Sequence, residues 1–163
     1  GLNLISKFGA TNSIENSLQQ GRHIGFIADQ NGGEKGIFVP FFGRLASTYK
    51  SIGLLALTNQ TPIVVAHTIC HRNPIKWTVK VIDTFGPEDW EDTPDPLYYI
   101  TARFTKAIEA GIRYAPAQYF WMHRRWKSRP KFEKENKSPP KKLINQLESL
   151  PWMSDELIKS IVN

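Results

Sequence analysis

His23-Ile24-Gly25-Phe26-Ile27-Ala28 is a short apolar run closed by polar residues on both sides, Arg22 before it and Asp29-Gln30-Asn31 after it. The preceding stretch, Ser13 to Gln20, has helical spacing and stops at Gly21, so the pair reads as a helix followed by a buried strand. The alternation continues downstream. A loop from Asp29 to Gly36 leads to Ile37-Phe38-Val39-Pro40-Phe41-Phe42, where Pro40 lacks the N–H of a ladder residue and argues for a strand end or an edge. Ser47 or Thr48 can cap a helix reaching about Thr58, Pro62 to Thr68 reads as a β-branched strand, and Trp77 to Ile82 alternates as a half-exposed strand does. Leu97, Ile100, Phe104, Ile108 and Ile112 recur at three- and four-residue steps and predict an amphipathic helix. Pro116 begins a further predicted helix, with Tyr119, Met122 and Trp126 as its apolar stripe and Trp121 one turn from Arg125, within cation–π reach. Two short amphipathic segments follow, Leu143 to Leu150 and, after a cap at Ser154, Leu157 to Ile161. The predicted class is α/β, a mixed sheet flanked by helices.

The chain has 163 residues, 40% of them hydrophobic and 22% charged, which suits one domain with a real core and excludes a disordered or fibrous chain. Its single cysteine excludes an intramolecular disulfide scaffold. The longest apolar runs, Ile52 to Leu57 and Pro62 to Ala66, fall far short of the ~20 residues a spanning helix needs, and Gly1 to Ile5 carries no leader pattern. The net charge of +6 is local: His123 to Lys142 holds nine Lys and Arg against two acids, and the remainder is nearly balanced. Such a cluster calls for a nucleic-acid or anionic-lipid surface, or a solvated linker. Asp83 to Asp95, with six acids and no base, reads as a solvated loop without function.

Four constellations could carry chemistry. His67-Thr68-Ile69-Cys70-His71 offers three metal-ligand types, but in an extended chain His67 and His71 share a face that Cys70 does not, so no metal is expected and hydrogen-bonded strand-end histidines are the simpler reading. Asp29-Gln30-Asn31-Gly32-Gly33 follows an apolar strand, where α/β sheets gather ligands, and a self-bonded turn explains it equally well. Arg44, just before a predicted helix start, is a candidate phosphate ligand or an ordinary surface arginine. Tyr119 to Pro130 interleaves aromatics with cations, suiting single-stranded nucleic acid or a lipid interface if the rings are exposed, and a helix with a buried stripe if they are not.

Gly25-Phe26-Ile27-Ala28-Asp29-Gln30, Phe38-Val39-Pro40-Phe41-Phe42-Gly43-Arg44, Thr61-Pro62-Ile63-Val64-Val65 and Pro116 to Pro130 together resemble, in order and spacing, the C-terminal half of the bacterial lipid A biosynthesis (lauroyl/myristoyl) acyltransferases, within the lysophospholipid acyltransferase superfamily. The resemblance runs from about Gly1 to Pro130 and is most specific in its last block; Ala117 departs from the Glu usual there, and the tail from Lys131 is longer than in the typical member. It implies residues 1–130 as the C-terminal portion of an acyltransferase domain of glycerolipid-acyltransferase type lacking its N-terminal part, with 131–163 as a basic linker and two short helices. It further implies transfer of a fatty acyl group from acyl carrier protein or acyl-CoA to a hydroxyl of a lipid A precursor or related glycolipid or lysolipid, at the cytoplasmic face of the bacterial inner membrane. No cofactor and no nucleic acid are expected.

In that family a His, four residues, then Asp or Glu supplies the catalysis, the His acting as base and the acid orienting it. Five positions after His23, His67, His71 and His123 stand Ala28, Arg72, Lys76 and Ser128, so the dyad is absent and the chain alone is expected to be inactive. The resemblance places Asp29, Gln30 and Arg44 on the substrate side. It gives Arg124 and Arg125, with Lys127 and Arg129, a structural role or an anionic-membrane or carrier-protein surface. The rivals are a non-catalytic module that binds anionic lipid or nucleic acid through Tyr119 to Arg129, and an independent hydrolase using His67 or His71, for which no GxSxG elbow is present.

Overall fold

The computed structural model describes residues 2–5 and 10–162, so the opening Gly1 and the last residue of the tail lie outside the described residues. In chain order the elements are α1 (Ala10–Gln19), β1 (Ile37–Phe41), β2 (Arg44–Thr48), α2 (Ser51–Asn59), β3 (Ile63–Arg72), β4 (Ile75–Phe85), α3 (Pro87–Trp90), α4 (Pro96–Tyr114), a 3-10 turn (Pro116–Gln118), α5 (Lys131–Lys134), α6 (Lys141–Glu148) and α7 (Asp155–Val162). The class is α/β.

The long central helix forms where the three-and-four spacing predicts it. Asp95 caps α4 by accepting from the Tyr98 amide at 3.0 Å, and Pro96 fills the first turn, where no N–H is needed. The helix packs against α2, β1, β3 and β4, and Tyr98, Ile100, Phe104 and Ala107 on its inner face are 5% exposed or less. Gly111 lets β3 approach: a Cβ there would stand 2.9 Å from the His67 Cβ.

The single mixed sheet is a correction. The described strands form two separate antiparallel pairs, β1 with β2 and β3 with β4. His23 to Ala28 is not a strand but an irregular segment, with Phe26 44% and Ile27 82% exposed. A strand exists only through its ladder, and no described strand pairs with this run. Ser47 and Thr48 likewise cap nothing. They end β2 with buried side chains, and α2 starts later, after Lys50. Beyond Pro116 the chain makes one 3-10 turn and then tight turns, so the predicted helix with a Tyr119–Met122–Trp126 stripe does not form.

The acidic stretch Asp83 to Asp95 is structural rather than merely solvated. Trp90 within it is 1% exposed and meets Phe85 edge-on at 5.9 Å. Arg103 of α4 donates to Asp83 at 2.9 Å and to Asp89 at 2.7 Å. The Arg103 bond, then the Gly86 amide, holds the Asp89 carboxyl below its usual value. A depressed carboxylate pKa stabilises the fold above the unfolded-state value, and that contribution fades as pH falls through the folded-state value. Melting temperature is therefore expected to drop below about pH 4, and Asp89→Asn to flatten that limb, with an effect under about 1 kcal/mol because water screens the partly exposed pair.

Candidate functional site

The β1–β2 hairpin is what the Asp29 loop and the segment after Pro116 are tied to. Phe42 and Gly43 at its turn have φ of 50° and 71°, the pair of positive values that a tight hairpin turn of this hand requires. Positive φ is costly for phenylalanine, and α4 supports it: Glu109 accepts from the Phe42 amide at 2.5 Å, while Arg113, ion-paired to Glu109 at 2.6 Å, lies over the Phe42 ring.

Along β2 the backbone carbonyls are taken by arginines arriving from the far end of the chain. Arg125 donates to the Ser47 carbonyl and, at 2.7 Å, to the Thr48 hydroxyl; Arg129 donates to the Leu45 carbonyl and pairs with Glu133 at 2.5 Å. Two guanidinium groups thus stand where a third strand would. Arg125 is 1% exposed and lies 5.1 Å from the Phe41 ring; burial pushes its pKa down, against the favourable fields of Tyr119, Asp29 and Tyr49. A cation there faces no membrane. Arg125 is interior, Arg129 is half-buried, and of the four basic residues proposed for a surface only Arg124 and Lys127 are exposed. The expected Trp121–Arg125 stacking is replaced by Arg125 on Phe41, with Trp121 packed at 4.8 Å on Tyr119 and 5.6 Å on Phe42.

The same segment locks the Asp29 loop. The Asn31 amide donates to His123 Nε2 at 3.0 Å, Asn31 Nδ2 donates to the Ser128 hydroxyl at 3.1 Å, and the Tyr119 hydroxyl donates to the Asp29 carbonyl at 3.3 Å. Gly32 donates to the Ser47 carbonyl at 2.9 Å and lies so close that a Cβ would come within 2.6 Å of the Thr48 backbone. The loop is therefore held by distant partners rather than by its own side chains. Burial, then the Asp29 charge, raises the Tyr119 pKa, keeping the phenol a neutral donor.

Above this loop lies a cavity of about 840 Å³, walled by Ile24, Phe26, Ile52, Ile63, Phe104 and Ile108. Asp29, Tyr119, His23 and His67 supply polar groups to its lining. Of the three substrate-side candidates only Asp29 lines it; Gln30 and Arg44 are exposed and do not, Arg44 being on the β1–β2 hairpin rather than at a helix start. His67, read from the sequence as a hydrogen-bonded strand residue, instead presents a buried Nε2 with no partner among the described residues. Its signal in the sequence was Gly111, a glycine inside an otherwise strong helix pattern that marks a close approach. His71 bonds Thr78 at 3.1 Å, away from the cavity lining, and among the described residues no three His, Cys, Asp or Glu side chains gather as a metal site.

Such an arrangement can hold a long apolar chain beside a carboxylate, a phenol and an imidazole. Comparison with known proteins points the same way. The family model for the bacterial lipid A biosynthesis acyltransferases matches residues 1–128. The lipid A biosynthesis palmitoleoyltransferase of Escherichia coli (strain K12) and a lipid A biosynthesis acyltransferase of Shigella flexneri are each 32% identical over 120 residues, covering 72% of this chain and 37% of theirs. A lipid A biosynthesis acyltransferase of Haemophilus influenzae is 28% identical over 117 residues, 70% of this chain and 36% of its own. The chain thus spans little more than a third of the length of these relatives, and on the extent of the match it belongs to the bacterial lipid A biosynthesis acyltransferase family.

Proposed function

We propose that this chain is the substrate-side portion of an enzyme that moves a fatty acyl group from acyl carrier protein or acyl-CoA to a hydroxyl of a lipid A precursor or a related glycolipid or lysolipid. The observation that carries the reading is the 840 Å³ apolar cavity with Asp29 in its wall. Its volume falls within the range of ligand pockets, and its walls match an alkyl chain, which needs no hydrogen bonds.

The division of labour follows from the chemistry of thioester attack. The acceptor hydroxyl must lose a proton as it attacks the carbonyl carbon, and the thiolate must leave. No His here has an acid five positions on, so the base of that step belongs to a His-x4-Asp/Glu segment outside these 163 residues. Asp29 orients the substrate head at the cavity wall, with its loop fixed by Asn31, Gly32 and Tyr119. The reaction takes place at the cytoplasmic face of the bacterial inner membrane; no described helix is long and apolar enough to cross a bilayer.

Two variants test this. Ile108→Trp fills the cavity and is expected to weaken acyl-CoA binding to the chain about tenfold or more, read by titration calorimetry, and to shift the assembled enzyme towards shorter acyl groups. Asp29→Ala is expected to lower transfer by the assembled enzyme about a hundredfold with only a small loss of melting temperature, from the field that Asp29 lends the buried Arg125. Acyl-CoA binding indifferent to Ile108→Trp would remove the cavity assignment, and full activity in Asp29→Ala would remove Asp29 from the site.

A further inference from the structure

Asp29 reaches the cavity wall, yet among the described residues nothing donates a hydrogen bond to its carboxylate; its one bond is through the backbone carbonyl. Where the carboxylate stands is therefore inherited from the backbone of its loop. That backbone is gripped at three points: the Tyr119 hydroxyl on the Asp29 carbonyl at 3.3 Å, His123 Nε2 on the Asn31 amide at 3.0 Å, and the Ser47 carbonyl on the Gly32 amide at 2.9 Å. The first is long for a hydroxyl donor and the last lies three residues on, so the imidazole is the nearest full-strength grip on Asp29.

The chemistry of that bond fixes the state of the ring. A backbone N–H only donates, so His123 Nε2 is the unprotonated nitrogen and the ring proton sits on Nδ1. The lone pair that a general base would offer to an acceptor hydroxyl is thus occupied, and His123 does not line the cavity. The backbone that carries the ring is itself held. The His123 amide donates to the Phe120 carbonyl at 3.0 Å, and the His123 carbonyl accepts at 2.8 Å from the amide of Arg125, whose buried side chain is bonded to β2. Five residues after His123, where a catalytic dyad would carry an acid, Ser128 accepts from Asn31 Nδ2 at 3.1 Å. His123 and Ser128 therefore hold the backbone and the side chain of one and the same loop residue.

We infer that His123 is a positioning residue for acyl transfer: as a neutral acceptor it holds the Asn31 amide, and through the two residues of backbone between Asn31 and Asp29 it sets where the Asp29 carboxylate meets the substrate head. The role rests on the acyl-transfer reading of Asp29. It gives the imidazole no proton to move and no contact with substrate. Its effect is on orientation, where a displacement of about 1 Å at the reacting groups is enough to slow a reaction severely.

Two readouts need no turnover. Nitrogen NMR of the wild-type chain, labelled on histidine, is expected to show His123 with Nε2 unprotonated and Nδ1 carrying the proton; the opposite tautomer overturns the inference. Amide hydrogen exchange at Asn31 should quicken about tenfold or more in His123→Leu, which has no acceptor, and return to within about threefold of wild type in His123→Gln, whose Oε1 accepts. In the assembled enzyme His123→Leu should lower kcat about tenfold at an unchanged KM, because the acyl chain still fills the cavity, and His123→Gln should restore it. Added to Asp29→Ala, His123→Leu should cost no more than about a further twofold, since it acts through Asp29. Unchanged Asn31 exchange in His123→Leu, no rescue by His123→Gln, or a full tenfold loss in the Asp29→Ala background leaves His123 a structural role only and overturns the inference. Full activity in His123→Leu beside a crippled Asp29→Ala ends the positioning role alone. Full activity in Asp29→Ala ends the Asp29 assignment and the positioning role together, and is told apart because the ring tautomer and the Asn31 exchange still come out as expected.

Discussion

Arg125→Ala should cost the fold about 3–5 kcal/mol and lower the melting temperature by about 10 °C, measured by differential scanning calorimetry of the chain. The side chain is almost fully buried, and its removal leaves a void against Phe41 and deprives the Thr48 hydroxyl of its donor. The charge itself is an expense of the design, since burial opposes it and no carboxylate forms an ion pair with it among the described residues. Arg125→Met, which keeps most of the volume and removes the cation, should therefore lose less than half as much. A loss under about 1 kcal/mol for Arg125→Ala would show that β2 needs no side-chain partner at this edge.

The second large effect lies in the tail. A chain ending at Pro130 should show no cooperative melting transition, and Leu147→Ala alone should cost about 3 kcal/mol. Leu147 and Leu150 are 0% and 1% exposed and sit in the same core as Phe104 and Tyr98, while Phe132 and Ile161 close over Leu45. Trp152 stacks 5.6 Å from Tyr99, and Gln146 donates at 2.7 Å to Asp95, the residue that caps α4. Deleting half a dozen buried side chains at about 2 kcal/mol each removes on the order of 10 kcal/mol, as much as a domain's whole stability. Although the family match stops at residue 128, the segment after it is part of the core and not an appendage. A truncated chain that melts cooperatively near the wild-type temperature would contradict this.

Elements whose signal is local could be read directly. Leu97, Ile100, Phe104, Ile108 and Ile112 lie on one side of α4 because helical hydrogen bonds join near neighbours in sequence. The alternation of Trp77 to Ile82 gave β4, although the strand runs further in both directions. Tyr119 to Pro130 was not legible in this way. Its aromatics recur at helical steps, yet its arginines find better partners at Leu45, Ser47 and Thr48, more than seventy residues away, and those bonds hold the segment irregular. His23 to Ala28 failed for the opposite reason, since a correct strand composition forms nothing without a neighbouring ladder.

For the site, the sequence pointed to Asp29 and to the block that carries His123, Arg125 and Ser128, but not to their relation. Linear order separates Asn31 from His123 and Ser128, and only the packing of the loop under β2 brings them within hydrogen-bond distance. By itself the sequence determined the long helix α4, the alternation of β4, the family resemblance and the missing His-x4-acid pair, because each is written in short-range spacing. The tertiary structure alone decided that Arg125 is interior and Arg44 remote from the cavity, that His67 faces an apolar chamber, and that the tail completes the core. Burial and long-range partners are properties of packing, and no window of sequence contains them.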